Sequence, residues 1–126
     1  MITKNFCVCF LDGKDLDIEK LTSLTPFDVE IFRKKGEIIR IGRWKGLSSL
    51  ETSVRIVSQE VCNRTILLET LFLYHKALKR SGVSEIYIDN VCYMNGNGAV
   101  LTVTNNEIKI LEQLKTSLLI SLYDDE

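Results

Sequence analysis

The chain is organised around residues 48–82, which read SSLETSVRIVSQEVCNRTILLETLFLYHKALKRSG. Apolar residues recur there every three or four positions, a spacing typical of a helix with one apolar face. Residues 48–51 have the spelling of an N-terminal capping box, and two cations followed by Gly82 suit a helix C-terminus. One unbroken helix would be roughly 45 to 50 Å long, which exceeds the diameter of a domain of this size. We therefore expect two helices, with a break where Asn63 or Thr65 would cap the second.

Composition indicates one ordinary globular domain. The chain has 126 residues, of which 45% are hydrophobic and 26% charged, enough to build a single core without metals or disulfides. Its net charge of -1 gives no overall attraction to nucleic acid or membrane. No apolar run approaches the roughly 20 residues of a membrane span, and the first residues do not have the pattern of a signal peptide. We therefore expect a cytoplasmic protein that does not act at a membrane.

Shorter patterns on either side of the helical region predict the rest of the fold. Alternating or continuous apolar residues indicate strands at residues 5–11, 27–32, 38–41, 83–94 and 117–123. A short helix is expected that Asp15 or Asp17 caps, that carries Ile18, Leu21 and Leu24 inward and that Pro26 ends. Another helix should follow Thr104, whose spacing to Glu107 repeats the capping box. Together these elements predict an α+β fold, with a single mixed or mostly antiparallel sheet and two to four helices packed on it.

Three finer expectations concern the strands. Both alternating sets of side chains in residues 5–11 are apolar, so we expect an interior strand covered on both faces. Residues 117–123 are apolar enough to form a central strand. Residues 95–98, Asn-Gly-Asn-Gly, predict a reversal. After it, residues 99–103 would form either a return strand or a loop that leads into the last helix.

Neither the cysteines nor the histidine has the spacing of a reactive or metal site. Cys7, Cys9, Cys62 and Cys92 fall within apolar elements and lack the C-x-x-C spacing of zinc ligands, so we interpret them as reduced, buried side chains. His75 falls on the apolar stripe of the second helix, where a packed side chain is expected. Nucleophile and phosphate-loop motifs are absent from the sequence. We therefore expect a protein that is not an enzyme and has no catalytic residues, cofactor or metal.

Charge is distributed unevenly along the chain. Residues 12–30 carry six acidic side chains and two lysines, a balance of -4, whereas residues 31–46 carry six basic side chains and one acidic, a balance of +5. The basic stretch from Arg33 to Lys45, with Trp44 inside it, could bind nucleic acid through phosphate contacts and base stacking. It could equally be a solvated hairpin edge whose lysines prevent edge-to-edge pairing. The acidic stretch has the converse interpretation, a docking surface for a basic protein, with ordinary solubility as its alternative.

A set of short motifs resembles a known bacterial family. The motifs, in order, are Leu21 and Leu24 before Pro26, Lys35-Gly36-Glu37, Gly42-Arg43-Trp44, paired helices and a terminal apolar strand ending in Tyr123. As an ordered set that spans almost the whole chain, they resemble the uncharacterised family called domain of unknown function 4279. The chain departs from the family pattern in having Thr25 directly before Pro26 and a compact stretch between Trp44 and the helices. The family implies no catalytic residues, so none is carried over.

In size and class the chain is also similar to the immunity proteins of polymorphic toxin and contact-dependent growth inhibition systems. This resemblance implies a toxin inhibitor that binds a cognate toxin domain, expected to be a nuclease, and occludes its active site. Because a nuclease presents basic residues to phosphate, the contact surface should be acidic. The candidate contacts are Asp12, Asp15, Asp17, Glu19, Asp124, Asp125 and Glu126. The alternatives are a nucleic-acid-binding or regulatory module that uses Arg33 to Lys45, and a small-ligand protein or enzyme with a pocket near the sheet.

Overall fold

A computed structural model describes residues 2–57, 63–96 and 100–125 of the chain. The strands are β1 (Ile2–Gly13), β2 (Val29–Arg33), β3 (Thr52–Ile56), β4 (Glu85–Met94) and β5 (Leu118–Asp124). The helices are α1 (Ile18–Leu24), α2 (Arg64–Leu73), α3 (His75–Arg80) and α4 (Asn105–Leu114). These described elements form one mixed sheet with four helices, which confirms the predicted α+β class.

The strands are ordered β2-β3-β1-β4-β5 across the sheet, with β1 at the centre. β1 pairs antiparallel with β3 on one side and with β4 on the other, and β2 pairs antiparallel with β3. β5 pairs with β4 in parallel, and α4 lies in the crossover that a parallel pair requires. The sheet is therefore mixed, as predicted.

β5 lies at the edge of the sheet, so the prediction that residues 117–123 form a central strand is wrong. Leu119 and Leu122 are 61% and 55% exposed there. An apolar run is typical of a strand covered on both faces, but it does not fix the position of that strand in the sheet. Within the described residues no further strand pairs with the outer edge of β5.

Residues 52–56 form strand β3, so the prediction that the helical region starts at residue 48 is wrong. Val54 and Ile56 are two positions apart and both are buried, at 0% and 2% exposure, which fits the two-residue period of a strand. Their branched side chains also favour extended backbone. Residues 58–62, which include Cys62, lie outside the described residues.

An irregular segment, residues 34–51, connects β2 to β3. The predicted capping box is absent there, because the Ser49 hydroxyl donates to the Glu51 carbonyl oxygen at 2.7 Å in a local turn. The strand predicted at residues 38–41 is also wrong, since the described backbone has only an isolated bridge at Ile38. This segment lies over one end of the sheet.

The second half of the predicted helical region is helical, but the single helix predicted there is divided at Tyr74 into α2 and α3. α2 starts after Asn63, whose side-chain oxygen accepts from the backbone N–H of Ile66 at 3.1 Å. α3 ends with Lys79 and Arg80 in its last turn, and Gly82 follows with φ +91°. The cap at the start and the glycine at the end are local sequence signals for helix termini, and the structure has helix termini at both places.

The helices predicted outside this region, α1 and α4, are confirmed as well. α1 ends at Leu24, and Thr25 is extended before Pro26, as the proline requires. α4 opens with the predicted capping box, in which Thr104 and Glu107 each accept a hydrogen bond from the other's backbone N–H.

The segment between β4 and α4 is described only in part. Gly96 has φ +89°, which suits the predicted reversal, while residues 97–99 lie outside the described residues. Residues 100–103 contain no strand, so this part of the chain follows the second predicted alternative, a loop that leads into α4.

The helices cover one face of the sheet and build the core with it. Cys7, Cys9 and Leu11 alternate along β1 on this face and are 3%, 0% and 0% exposed. The helices contribute Leu21, Leu67, Leu68, Leu71, Leu78 and Ile110 to the same apolar cluster. The predicted burial of Cys7 and Cys9 is therefore confirmed.

The other face of β1 is not covered by helices. Phe6, Val8 and Phe10 point to this side and are only partly buried. The prediction that β1 is covered on both faces is therefore wrong, although the strand is interior to the sheet as expected. Aromatic side chains explain the error, because a strand lined by phenylalanine looks fully buried in sequence.

A buried polar cluster holds α2, α4 and β4 together. The Arg64 guanidinium donates to Glu107 Oε2 at 2.8 Å, to Asn90 Oδ1 at 2.9 Å and to the carbonyl oxygen of Thr102. Glu107 also accepts from the Thr104 backbone N–H at 3.1 Å and from its hydroxyl at 3.2 Å. The side chains of Arg64 and Glu107 are 11% and 2% exposed. Hydrogen bonds from Arg64 hold the pKa of Glu107 below its ordinary value of 4.5, so the pair stays ionised at neutral pH.

The end of β1 and the end of α3 meet backbone to backbone. The Ser84 N–H donates to the Asp12 carbonyl oxygen at 2.8 Å. A Cβ added to Gly82 would lie 2.2 Å from the Asp15 carbonyl oxygen, so only glycine fits. This close approach fixes the start of β4 against the end of β1 and sets Glu85 opposite Asp12.

We predict that Gly82→Ala lowers the free energy of unfolding by about 2 to 4 kcal/mol. Alanine disfavours the φ of +91°, and its Cβ would collide with backbone that cannot turn away. Gly36→Ala is the matched control, because Gly36 has φ +88° but no atom within 4 Å of the added Cβ, so about 1 kcal/mol of strain is expected. Urea unfolding followed by circular dichroism measures both. Equal losses would show that the close approach contributes nothing.

We also predict that Glu107→Gln lowers the free energy of unfolding by about 3 to 5 kcal/mol, because it leaves a buried guanidinium without its counter-charge. Glu30→Gln is the control, since it breaks an ion pair with Arg55 whose side chains are 44% (Arg55) and 55% (Glu30) exposed and should cost less than about 1 kcal/mol. The lowered pKa of Glu107 stabilises the fold above pH 4.5, and this contribution is lost as the pH falls below that value. The Glu107→Gln variant should lack that component in urea titrations between about pH 3 and pH 7. A loss no larger than that of the control would contradict the role of the pair.

Candidate functional site

The sheet face opposite the helices, called here the open face, carries aromatic and charged side chains. Its aromatic members are Phe6, Phe10, Phe32, Tyr87, Tyr93 and Tyr123. Its charged members are Lys4, Asp12, Glu30, Arg33, Arg55, Glu85 and Asp89. Phe32, Tyr87 and Tyr123 are 57%, 48% and 50% exposed. Large aromatic side chains gathered on an uncovered face are typical of a binding surface.

Ring contacts hold four of these aromatic side chains in two pairs at opposite ends of the open face. Phe10 and Phe32 meet edge to face, with ring centroids 5.0 Å apart. Tyr93 and Tyr123 stack at 5.3 Å, and the Lys4 ammonium lies 5.7 Å from the centre of the Tyr93 ring. Rings fixed in this way lose little conformational freedom when a ligand binds them.

The 34–51 segment and the Phe10 end of the open face border an open, cleft-like cavity of about 630 Å³. Phe10, Phe32 and Tyr87 form its walls on the sheet side, and Trp44 lines it from the segment. The two arms of the segment are tied together by backbone hydrogen bonds, for example from the Ile39 N–H to the Leu47 carbonyl oxygen at 2.9 Å. This volume is within the range of about 300 to 1,000 Å³ that small organic ligands occupy in proteins.

Three carboxylates, those of Asp12, Glu51 and Glu85, also line the cavity. Asp12 and Glu85 are direct cross-strand partners, an arrangement that costs free energy because like charges repel. Asp12 Oδ1 is the one buried side-chain oxygen or nitrogen of the described residues that lacks a hydrogen-bond partner. Burial raises the pKa of Asp12 above its ordinary value of 3.8 and the charge of Glu85 adds to this, while a hydrogen bond from Ser53 opposes it in part. Burial also raises the pKa of Glu51, with Glu85 and Asp12 as further causes.

Tyr87 is coupled to the same carboxylates. Its hydroxyl donates to Glu85 Oε2, and this hydrogen bond, together with burial, raises the pKa of Tyr87 to about 12. The tyrosine therefore remains a neutral donor at physiological pH. One carboxylate of the cavity is thus oriented by the chain itself, whereas Asp12 keeps one oxygen unpartnered.

The structure distributes the predicted contact residues over separate places. Asp12 lines the cavity, whereas Asp17 caps α1 by accepting from the Lys20 N–H at 3.1 Å. Asp17 and Glu19 line a shallow depression that also contains Lys34 and Lys35. Neighbouring lysines therefore offset part of the acidic charge that the sequence places there.

The acidic tail lies at the other end of the sheet. Asp124 is the last residue of β5, and Asp125 accepts a hydrogen bond from Thr3 at the start of β1. Because Thr3 and Asp12 are nine positions apart on one strand, the tail is about 30 Å from the cavity. Glu126 lies outside the described residues. The predicted contacts Asp12 and Asp15 are thus not brought together with the tail.

Residues of the basic stretch lie at two places: Arg33 and Trp44 line the cavity, whereas Lys34 and Lys35 line the depression beside Asp17. Arg33 belongs to β2, and its guanidinium carbon lies 5.4 Å from the centre of the Phe32 ring. The guanidinium carbon of Arg43 lies 5.3 Å from the centre of the Trp44 ring, which is 59% exposed. Basic groups on the segment and carboxylates within the cavity therefore lie close together, so this end of the molecule has no uniform charge.

The cysteines and the histidine do not form a reactive group. Burial raises the pKa of Cys7 to about 11 and also raises that of Cys9, so both thiols remain protonated at neutral pH. His75 stacks on Phe72, with ring centroids 6.3 Å apart, as a packed helix side chain would. Over the described ranges, no group of three or more histidine, cysteine or acidic side chains could hold a metal ion. No helix among those residues is long and apolar enough to cross a membrane.

Comparisons with protein-family models, with curated proteins and with solved structures found no match to this chain. The resemblance to domain of unknown function 4279, and the looser one to immunity proteins, therefore stay predictions.

Sequence reasoning missed Glu51, Glu85 and Tyr87 as site residues. The alternation of Glu85, Tyr87 and Asp89 with the apolar Ile86 and Ile88 is a signal of a half-exposed strand that was available in the sequence. The pairing of this strand with β1 was not available, because strand register depends on distant contacts.

We predict that Asp12→Asn raises the free energy of unfolding at pH 7 by about 0.5 to 1 kcal/mol, because it removes a like-charge pair between strands. The raised pKa of Asp12 means that the fold is favoured at low pH and loses this contribution as the pH rises. The advantage of the variant should therefore be absent near pH 3 and grow up to about pH 7. Urea unfolding across this range measures it. Asp28→Asn, at an exposed carboxylate before β2, is the control, and a loss of stability in the Asp12→Asn variant would contradict the repulsion.

Proposed function

We propose that this protein is a non-catalytic inhibitor that neutralises a cognate bacterial toxin by stoichiometric binding and occlusion of its active site. The single observation that carries the proposal is the open face, an uncovered sheet surface with fixed aromatic side chains and an excess of carboxylates. Exposed rings supply the anchors that dominate protein interfaces, and carboxylates supply charge complementarity to a basic partner.

The size of the open face supports a protein partner. At about 4.8 Å between strands and 3.4 Å per residue, the five strands present on the order of 600 Å² of sheet. A standard protein interface takes about 800 Å² from each partner. The open face together with the 34–51 segment is therefore large enough for one such interface.

Charge supports a basic partner over nucleic acid. The open face carries the carboxylates of Asp12, Glu30, Glu85 and Asp89 against the cations of Lys4, Arg33 and Arg55, an excess of one negative charge. Phosphate groups would be repelled by this excess, whereas the basic active site of a nuclease would be attracted. This comparison favours a nuclease toxin as the partner.

A nucleic-acid-binding module remains the second candidate, because one observation favours it. Trp44 is 59% exposed and stacks with Arg43, a pair that suits base stacking beside a phosphate contact. Under this candidate, the triple variant Arg40→Ala, Arg43→Ala and Lys45→Ala should abolish retention on nucleic acid. The same variant should leave toxin neutralisation intact under the first candidate.

The experiment that tests the first candidate expresses the chain together with the adjacent reading frame of its host. We expect that frame to encode a protein that kills cells when expressed alone, binds this chain one to one and is silenced by it. Phe32→Ala should weaken binding about tenfold or more, because it removes an exposed anchor of the open face. Leu73→Ala is the matched control, since Leu73 is 74% exposed on α2, a helix of the opposite layer.

Charge reversal then locates the contact. A partner seated at the cavity end of the open face should be weakened by Glu85→Lys and unaffected by Asp124→Lys with Asp125→Lys, because Asp12, the cross-strand partner of Glu85, lies about 30 Å from the acidic tail. Asp15, Asp17 and Glu19 are left unchanged, because they are not among the side chains of the open face and reversal of Asp17 would also remove the cap of α1. Equal affinity for all of these variants and for the unchanged chain would refute the open face as the contact surface. Retention of nucleic acid without any protein partner would refute the inhibitor proposal.

A further inference from the structure

We propose that the cavity between the open face and the 34–51 segment is a binding site for an organic cation, namely a guanidinium or ammonium group on an apolar stem. The cavity has a volume of about 630 Å³, aromatic walls and three carboxylates. This inference does not depend on toxin neutralisation. It assigns a ligand chemistry to one place in the fold.

The aromatic walls are suited to a cation. The faces of Phe10, Phe32, Tyr87 and Trp44 carry negative potential, and a cation near such a face is attracted to it, more strongly where water is excluded. Two of these rings already contact cationic side chains of the protein itself. Arg33 lies 5.4 Å from the Phe32 ring centre and Arg43 lies 5.3 Å from the Trp44 ring centre.

None of the three cavity carboxylates has a cationic ion-pair partner among the described residues. Among the described residues, the ion pairs are Arg55 with Glu30 and Arg64 with Glu107, so Asp12, Glu51 and Glu85 take part in none. Arg33 and Lys14 are near enough to act on Asp12 and Glu51, respectively, but only at longer range. With three carboxylates against Arg33, the lining keeps an excess of negative charge.

Because of the position of Asp12, this excess of negative charge lowers the stability of the folded protein. Asp12 lies directly opposite Glu85, and its Oδ1 is buried without a hydrogen-bond partner. Folded proteins leave few buried polar atoms unpartnered, and those that remain usually have a functional reason. A cation in the cavity would reduce the repulsion between the two carboxylates and compensate the buried oxygen by Coulomb attraction.

The test uses the purified 126-residue chain and its one tryptophan, Trp44, which lines the cavity and reports directly on it. The probe is N-acetyl-arginine methylamide, and the matched neutral probe is N-acetyl-citrulline methylamide, which has nearly the same shape without the charge. We expect saturable fluorescence change with the arginine probe and at least tenfold weaker binding of the citrulline probe. Equal binding of both probes, or no saturable change, would overturn the proposal.

Variants assign the binding to the cavity. The double variant Asp12→Asn with Glu85→Gln should weaken the arginine probe at least tenfold, whereas Glu69→Gln, at an exposed carboxylate of α2, should leave it unchanged. If the double variant does not fold by circular dichroism, the single variant Glu51→Gln should still weaken the probe at least threefold. Unchanged affinity in the folded cavity variants would overturn the assignment.

The source of the cation is resolved by a further pair of probes. Agmatine presents the guanidinium without a peptide backbone, and the capped peptide Gly-Arg-Gly presents it as a protein side chain. Tighter binding of agmatine would support the site as one for a free small molecule, and tighter binding of the peptide would support it as one for a partner's arginine. Because no toxin enters these measurements, a failure here leaves the proposed function to its own test.

Discussion

A guanidinium group can be buried only if nearly all of its N–H groups and its charge find partners, and Arg64 imposes this constraint on the fold. Its partners come from three separate parts of the chain, Asn90 on β4, Thr102 before α4 and Glu107 within α4. Satisfying one side chain therefore fixes the start of α2, the path into α4 and the middle of β4. The apolar core supplies the driving force of folding, but this cluster specifies which arrangement of the helices is allowed.

Because the helices pack on one face of the sheet, the opposite face remains uncovered. Its rings are held in pairs, and its cavity combines aromatic walls with carboxylates that the chain does not neutralise. Such an arrangement lowers the stability of the free protein, as the raised pKa of Asp12 indicates, and it favours partners that bring positive charge. Stability and binding thus make opposite demands on the same residue, which is typical of functional sites.

Local signals in the sequence were sufficient for part of the fold. The caps at Asn63 and Thr104 and the break at Pro26 involve residues within a few positions of one another, and each was predicted correctly. β3 was mistaken for helix because Val54 fits both a two-residue spacing to Ile56 and a three-residue spacing to residue 57. The cavity was not predictable in this way, since Asp12 meets Glu85 only through the pairing of β1 with β4.

The central position of β1 has a consequence for how the chain folds. Its neighbours in the sheet are far away in sequence, because Leu11 pairs with Val54 and Phe6 pairs with Val91. Closing these long loops costs conformational entropy before any strand pairing compensates for it. High contact order of this kind makes strand assembly, and not helix formation, the slow event, so the folding rate is set by the time β1 needs to find its two partners.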